Sequence, residues 1–248
     1  MRKLRRITEA EVIAEFLKNE FYQEEFHHDR ENFEHLVLQA DVTNETENAL
    51  RRALLFRRRG HMWRELPSDT QWWEVEFETL DLNLVRVFPR AQWRKVADGS
   101  FLLRDIVQRI RTVRFSGRTR DFISKVQALS YRLRVEHDVS SVILIGMDET
   151  LPVTILEGNH RLTAALLAGP TYLQQRFRVL CGFSPHMNRS CWYETNLTNL
   201  WRYAQNRMRN LFYDKDADVG RVLIDVTSPA TPPSIDTVTA RKILPGSK

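Results

Sequence analysis

Two cysteines, Cys181 and Cys191, are all the chain contains, and they do not form a CxxC arrangement, so neither a disulfide framework nor a structural zinc site is expected. They read as ordinary thiols. Long apolar runs are missing too: nothing approaches the roughly 18 residues a membrane span needs, and MRKLRRITEAEVIAEF breaks into charge before a signal-peptide core can form. A soluble, cytoplasmic protein with no membrane contact is the expectation. There is no repeat with a period of about 20 to 50 residues. Lysine is scarce as well, supplying seven of the 37 basic residues and leaving 30 to arginine. Guanidinium groups suit an anionic partner, although genome base composition produces the same bias.

What is present fits one large domain, or a core domain with extensions: 248 residues, 42% hydrophobic, 28% charged, net charge +5. Residues 1–65 read as a helical N-terminal extension. Within it, residues 20 to 34 are acidic, whereas NETENALRRALLFRRRG carries Arg51, Arg52, Arg57, Arg58 and Arg59. Asn44 and Glu47 can form a capping box there, and Gly60 offers a C-cap. Arginines at a helix end relieve its dipole. The other reading of Arg51 to Arg64 is contact with a nucleic acid or phosphate. His27, His28 and His35 read as a solvated face.

Residues 66–213 read as the main domain. In WWEVEFETL, Trp73, Val75 and Phe77 alternate with Glu74, Glu76 and Glu78, the pattern of a half-buried strand, and LNLVRVFP is a second extended run. A helical insertion covers about 100–137, with Leu103, Ile106, Val107 and Ile110 on one face and Phe122, Ile123, Val126 and Leu133 on another. SSVILIGMD, VTILEG, RLTAALLAG and FRVLCGFSP follow as strand, hairpin partner, helix and strand. TNLTNLWRYAQNRMRNLFYD closes the domain as an amphipathic helix with Leu197, Leu200, Trp201, Ala204, Met208 and Leu211 expected inward. Residues 214–248 read as a polar, proline-rich tail.

Chemistry concentrates in ILEGNHRLTAALLAG. A strand ending in Glu157-Gly158 that gives way at once to a helix leaves backbone N–H groups facing outward, and these attract anions. Gly158 permits the sharp turn, Asn159 is a good N-cap, Arg161 can aim a planar fork at the same point, and His160 can donate a hydrogen bond or a proton. A phosphate is the expected guest. The competing reading has Asn159 merely capping, Arg161 paired with Glu157, and His160 packing. A second polar cluster, SPHMNRSCWYE, brings Ser184, His186 and Arg189 to the end of a strand and is expected to line the same crevice.

The segment EGNHRLTAALLAG resembles the nucleotide-phosphate loop of the ParB/sulfiredoxin superfamily. The similarity covers about Val142 to Pro185, with a weaker match of WWEVEFETLDLNLVRVFP to the opening strands. It implies an α/β (α+β) fold with a small mixed sheet, flanked here by the helical extension and a C-terminal helix. Asn159 stands where sulfiredoxins carry their reactive cysteine, and Gly158-Asn159-His160-Arg161 replaces the Gly-Glu-Arg-Arg of chromosome-partition members, which also carry a helix-turn-helix domain that is not evident here. The free-serine kinases are more similar. That resemblance implies ATP or ADP with Mg²⁺, phosphoryl transfer to a small hydroxyl-bearing substrate, and a catalytic carboxylate among Glu74, Glu76, Glu78 and Asp81. The expected site therefore has His160, Glu157, Glu76 and His186 in catalysis, with Gly158, Asn159, His160, Arg161, Thr163, Ser184 and Arg189 holding the nucleotide, and no resident metal. A nucleotide-gated nucleic-acid binder and a biosynthetic enzyme with other chemistry are the alternatives.

Overall fold

A computed structural model describes residues 1–135, 140–169, 177–212 and 215–227. Six strands form one mixed sheet in the order β1-β2-β6-β4-β5-β3, with β1 at Arg2–Ile7, β2 at Gln71–Glu76, β3 at Val85–Val87, β4 at Ser141–Gly146, β5 at Val153–Glu157 and β6 at Arg178–Phe183. β4 pairs with β6 in parallel and with β5 antiparallel, and β3 pairs with β5 in parallel. The α/β class and the hairpin of β4 with β5 agree with the sequence. β1 does not, because the opening segment was read as helical. Its side chains, mostly charged, are all exposed but that of Ile7, so the strand carries no apolar alternation, and its pairing with β2 is what makes it a strand.

Helices cover both faces of the sheet. On one face α1 (Glu9–Glu20), α2 (Arg30–Leu38) and α3 (Glu45–Trp63) share a core with Trp72, Ile143, Ile145, Leu156 and Leu180. On the other, α4 (Ala91–Ala97), α5 (Leu103–Thr112), α6 (Gly117–Val135) and α7 (Asn159–Ala168) pack on Val75, Val142, Leu144, Ile155 and Val179. Strand side chains alternate between the two cores with the period of two that a pleated strand imposes. β2 is therefore covered on both sides, with Trp72 buried on the face opposite Val75. The predicted inward faces of α5 and α6 are the observed ones, with Phe122 only partly buried. Cys181 and Cys191 are free and buried.

Three local expectations change. The Asn44 side chain accepts the Glu47 N–H as predicted, but α3 runs through Gly60 to Trp63, because the apolar residues Met62 and Trp63 extend its buried stripe past the glycine. The helix Leu197–Leu211, α8, turns its apolar face outward: Leu197, Leu200, Trp201, Met208 and Leu211 are exposed, Leu197 by 86%. Its inner side is polar, with Asn199 donating to the carbonyls of Asn188 and Glu194 at 2.8 Å each and Asn206 to Glu65 at 2.5 Å. Finally, the segment expected as tail contains α9, Val219–Thr227, which meets α3. The remaining tail residues, 228–248, lie outside the described residues.

Candidate functional site

Strands β3 and β5 are a parallel pair, so both leave the sheet at the same end. Phe88 and Arg90 follow β3, and Glu157 to Arg161 follow β5. Between these loops lies a cavity of about 560 Å³, completed by Asn19, Glu20 and Gln23 at the end of α1, Arg59 from α3, Gln92 and Trp93 from α4, and Phe122 from α6. Crevices beyond the carboxyl ends of parallel strands are where open α/β sheets place their ligands. The volume falls in the usual range for small-molecule sites.

The wedge between β5 and α7 has a different internal structure from the expected one. Gly158 itself is the N-cap, in the left-handed region with φ of 94°, and a Cβ there would lie 3.2 Å from Val142 Cγ2. No residue but glycine suits both requirements. Asn159 is the first helical residue, not the cap, and no side chain caps the helix. Its Oδ1 is buried without a hydrogen-bond partner among the described residues.

Arg161 does not project into open space. Its guanidinium pairs with Glu157 one turn back, and its Nη1 donates to Asn19 Oδ1 at 2.8 Å. Asn19 Nδ2 in turn donates to Glu157 Oε2 and to the Ser141 carbonyl, each at 3.0 Å. This closed network ties α1, β4, β5 and α7 together, as the competing reading of Arg161 expected. Burial pushes the Glu157 carboxyl up to about 7, with Arg161 pulling it down and the neighbouring charge of Glu20 adding to the upward push. His160 lies at the cavity rim between aromatic rings, with centroids 5.4 Å from Trp93 and 5.2 Å from Phe122. Burial in those surroundings, and next the charge of Arg161, push its imidazole below the ordinary value.

The remaining candidates lie elsewhere. Thr163 is fully buried on α7, donates to the Asn159 carbonyl at 2.7 Å, and does not line the cavity. Glu76 pairs with Arg2 at the β1–β2 edge, Glu74 with Arg5 and Arg178, and Asp81 with the N-terminal amine. Glu78 accepts from no cavity residue and caps a 3-10 turn over Thr79–Asn83. Ser184, His186 and Arg189 are on the opposite edge. Because β6 runs parallel to β4, and β5 antiparallel to β4, the loops after β5 and β6 leave opposite ends of the sheet. There Asp69 accepts from Ser184 Oγ at 2.7 Å and contacts His186 Nδ1 at 2.8 Å. The hydroxyl is spent on the carboxylate rather than on the imidazole, which is not the relay of a nucleophilic triad.

Residues that sequence reasoning did not assign to the site supply much of its wall, among them Asn19, Gln23, Gln92, Trp93, Phe122 and Arg90. Arg90 is the informative one. It follows a strand ended by Pro89, and its guanidinium stacks 4.4 Å from the ring centroid of Trp192. The arginines of α3 are mostly committed inside the fold. Arg51 is fully buried and bonds the carbonyls of Leu36 and Asp41, Arg52 pairs with Glu9, Arg57 with Asp29, and Arg64 with Asp216. That leaves little of the basic face expected to meet a nucleic acid. His27, His28 and His35 are exposed, and among the described residues no group of three or more His, Cys, Asp or Glu could hold a metal. Among the described residues no helix is long and apolar enough to cross a membrane. Compared with models of protein families, with curated proteins and with solved structures, the chain matches none.

Proposed function

We propose that this protein binds a nucleotide in the cavity at the ends of β3 and β5 and transfers a phosphoryl group from it to a small hydroxyl-bearing molecule. The observation that carries the reading is the make-up of that one cavity, which joins the first turn of α7 to the rings of Trp93 and Phe122 and to the guanidinium groups of Arg59 and Arg90. Rings suit a planar base and a helix N-terminus suits its phosphates. The unpartnered Oδ1 of Asn159 supplies an acceptor for a ligand N–H. A ParB/sulfiredoxin-like ancestry of the β4-β5-α7-β6 unit is part of the same proposal.

Relative to the sequence reading, the roles shift. Arg161 positions Glu157 and α1, and the anion contacts pass to His160, the α7 amides and Arg90. Glu157, the carboxylate nearest the loop, is the residue for orienting the acceptor. Mg²⁺ would be carried by the phosphates of ATP or ADP, since both carboxylates of the cavity, Glu20 and Glu157, already face arginines. A thermal-shift screen of nucleotides with and without Mg²⁺ tests this. A ligand at a hundred times its dissociation constant stabilises the fold by about 2.7 kcal/mol, and His160→Ala should lose most of that shift. No shift with any nucleotide would remove the proposal.

A further inference from the structure

Arg59 and Arg90 also border a second recess, of about 330 Å³, where Arg58, Arg207 and His61 join them and Glu25 is the one carboxylate in the wall. Four guanidinium groups around one carboxylate is an unfavourable arrangement in the absence of an anion, because like charges at close range repel. Of the four, Arg59 has the usual relief, pairing with both Glu20 and Glu25, and the other three do not share it. Arg58 reaches Asp29 only at 3.8 Å, that carboxylate being held more closely by Arg57, and the Nε of Arg58 is buried without a partner among the described residues. Arg90 rests on the ring of Trp192, and Arg207 donates to the Tyr203 hydroxyl at 3.1 Å. Among the described residues neither forms an ion pair with a carboxylate.

We propose that this recess is an oxyanion site that takes the phosphate group of a small molecule. Its arginines come from three elements, α3, the loop after β3, and α8, so they converge on a concavity instead of forming the extended strip that a nucleic-acid backbone tracks. Trp192 and Tyr203 fix two of the forks in advance, which reduces the ordering that binding would otherwise require. His61 adds a neutral imidazole, held in that form by burial and then by Arg207, Arg59 and Arg90. The site shares Arg59 and Arg90 with the wall of the nucleotide cavity and extends beyond it through Arg58, His61 and Arg207.

The test is a calorimetric titration of inorganic pyrophosphate into the full chain at fixed ionic strength. Wild type should bind, Arg207→Ala should bind about tenfold or more weakly, and Arg189→Ala, at the other end of the sheet, should match wild type. Arg207 is exposed on α8, so its loss should leave the melting temperature unchanged, and Arg58→Gln on α3 provides a second variant from a different element. In the same samples the NMR titration of His61 should move upward from about 4 when pyrophosphate is bound. Absence of pyrophosphate binding, equal affinity in wild type and both arginine variants, or binding of a single-stranded oligonucleotide that pyrophosphate does not displace would each overturn the proposal. In the His160→Ala background Arg207→Ala should still weaken pyrophosphate binding by the same factor, which separates this result from that of the nucleotide screen.

Discussion

Arg161 is held by Glu157 and Asn19 with only 15% of its side chain exposed, and that placement decides what its removal does. Truncation leaves the Glu157 carboxylate buried without its cation, a change that costs about 2–4 kcal/mol for a pair of this burial. Arg161→Ala should therefore lower the urea midpoint, and Glu157→Gln added to it should recover part of the loss. A variant with unchanged stability and lost nucleotide affinity would return Arg161 to the role of ligand. His61 gives a residue-level prediction in pH. Burial first, then three arginines, lower its pKa to about 4 from the ordinary 6.5, so the unfolded chain binds this proton more tightly than the folded one. Its contribution to stability is present above about pH 6.5 and lost as pH falls towards 4. His61→Gln should flatten that part of the curve relative to wild type in denaturant midpoints measured between pH 4 and 7. Equal slopes in the two proteins would contradict the assignment.

At the scale of elements, α8 and the β5–α7 turn show what the sequence discloses and what it withholds. The spacing of Leu197, Leu200, Trp201, Ala204, Met208 and Leu211 places them on one face correctly, but periodicity does not say which way a face points. Here Asn199 and Asn206 turn inward because the loop carbonyls of Asn188 and Glu194 and the buried Glu65 need donors. Asn199→Ala should consequently destabilise by about 1–3 kcal/mol, while Leu200→Ala should stay within about 0.5 kcal/mol, the reverse of what an inward apolar face would give. Chemical denaturation of both variants checks this. Gly158 was legible because a strand-to-helix turn this tight needs a residue free to adopt positive φ. Gly158→Ala should cost about 1 kcal/mol or more in the same measurement, since the strain at φ of 94° is joined by the contact with Val142.

For the whole molecule, the legible part was local: strands β2 to β6, the helices α5, α6 and α7, and the polar turn after β5. The cavity was not, because its walls come from residues as far apart as Phe16 and Arg161, brought together by a strand order that no single segment encodes. The error in joining Ser184, His186 and Arg189 to the GNHR turn has the same origin. Whether two loops meet depends on the direction of β5 relative to β6, and β4 lies between them. Most arginines of α3 fasten it to its neighbours, whereas Arg58, Arg59, Arg90 and Arg207 line concave surface, Arg59 doing both. The central claim is that the cavity at the ends of β3 and β5 is built for a nucleotide. A crystal grown with ADP and Mg²⁺ tests it most directly: difference density for a base beside Trp93 and Phe122, with phosphates at the first turn of α7, is the predicted result. ADP bound elsewhere, or a clear map with that cavity holding only solvent at saturating ADP, would contradict it.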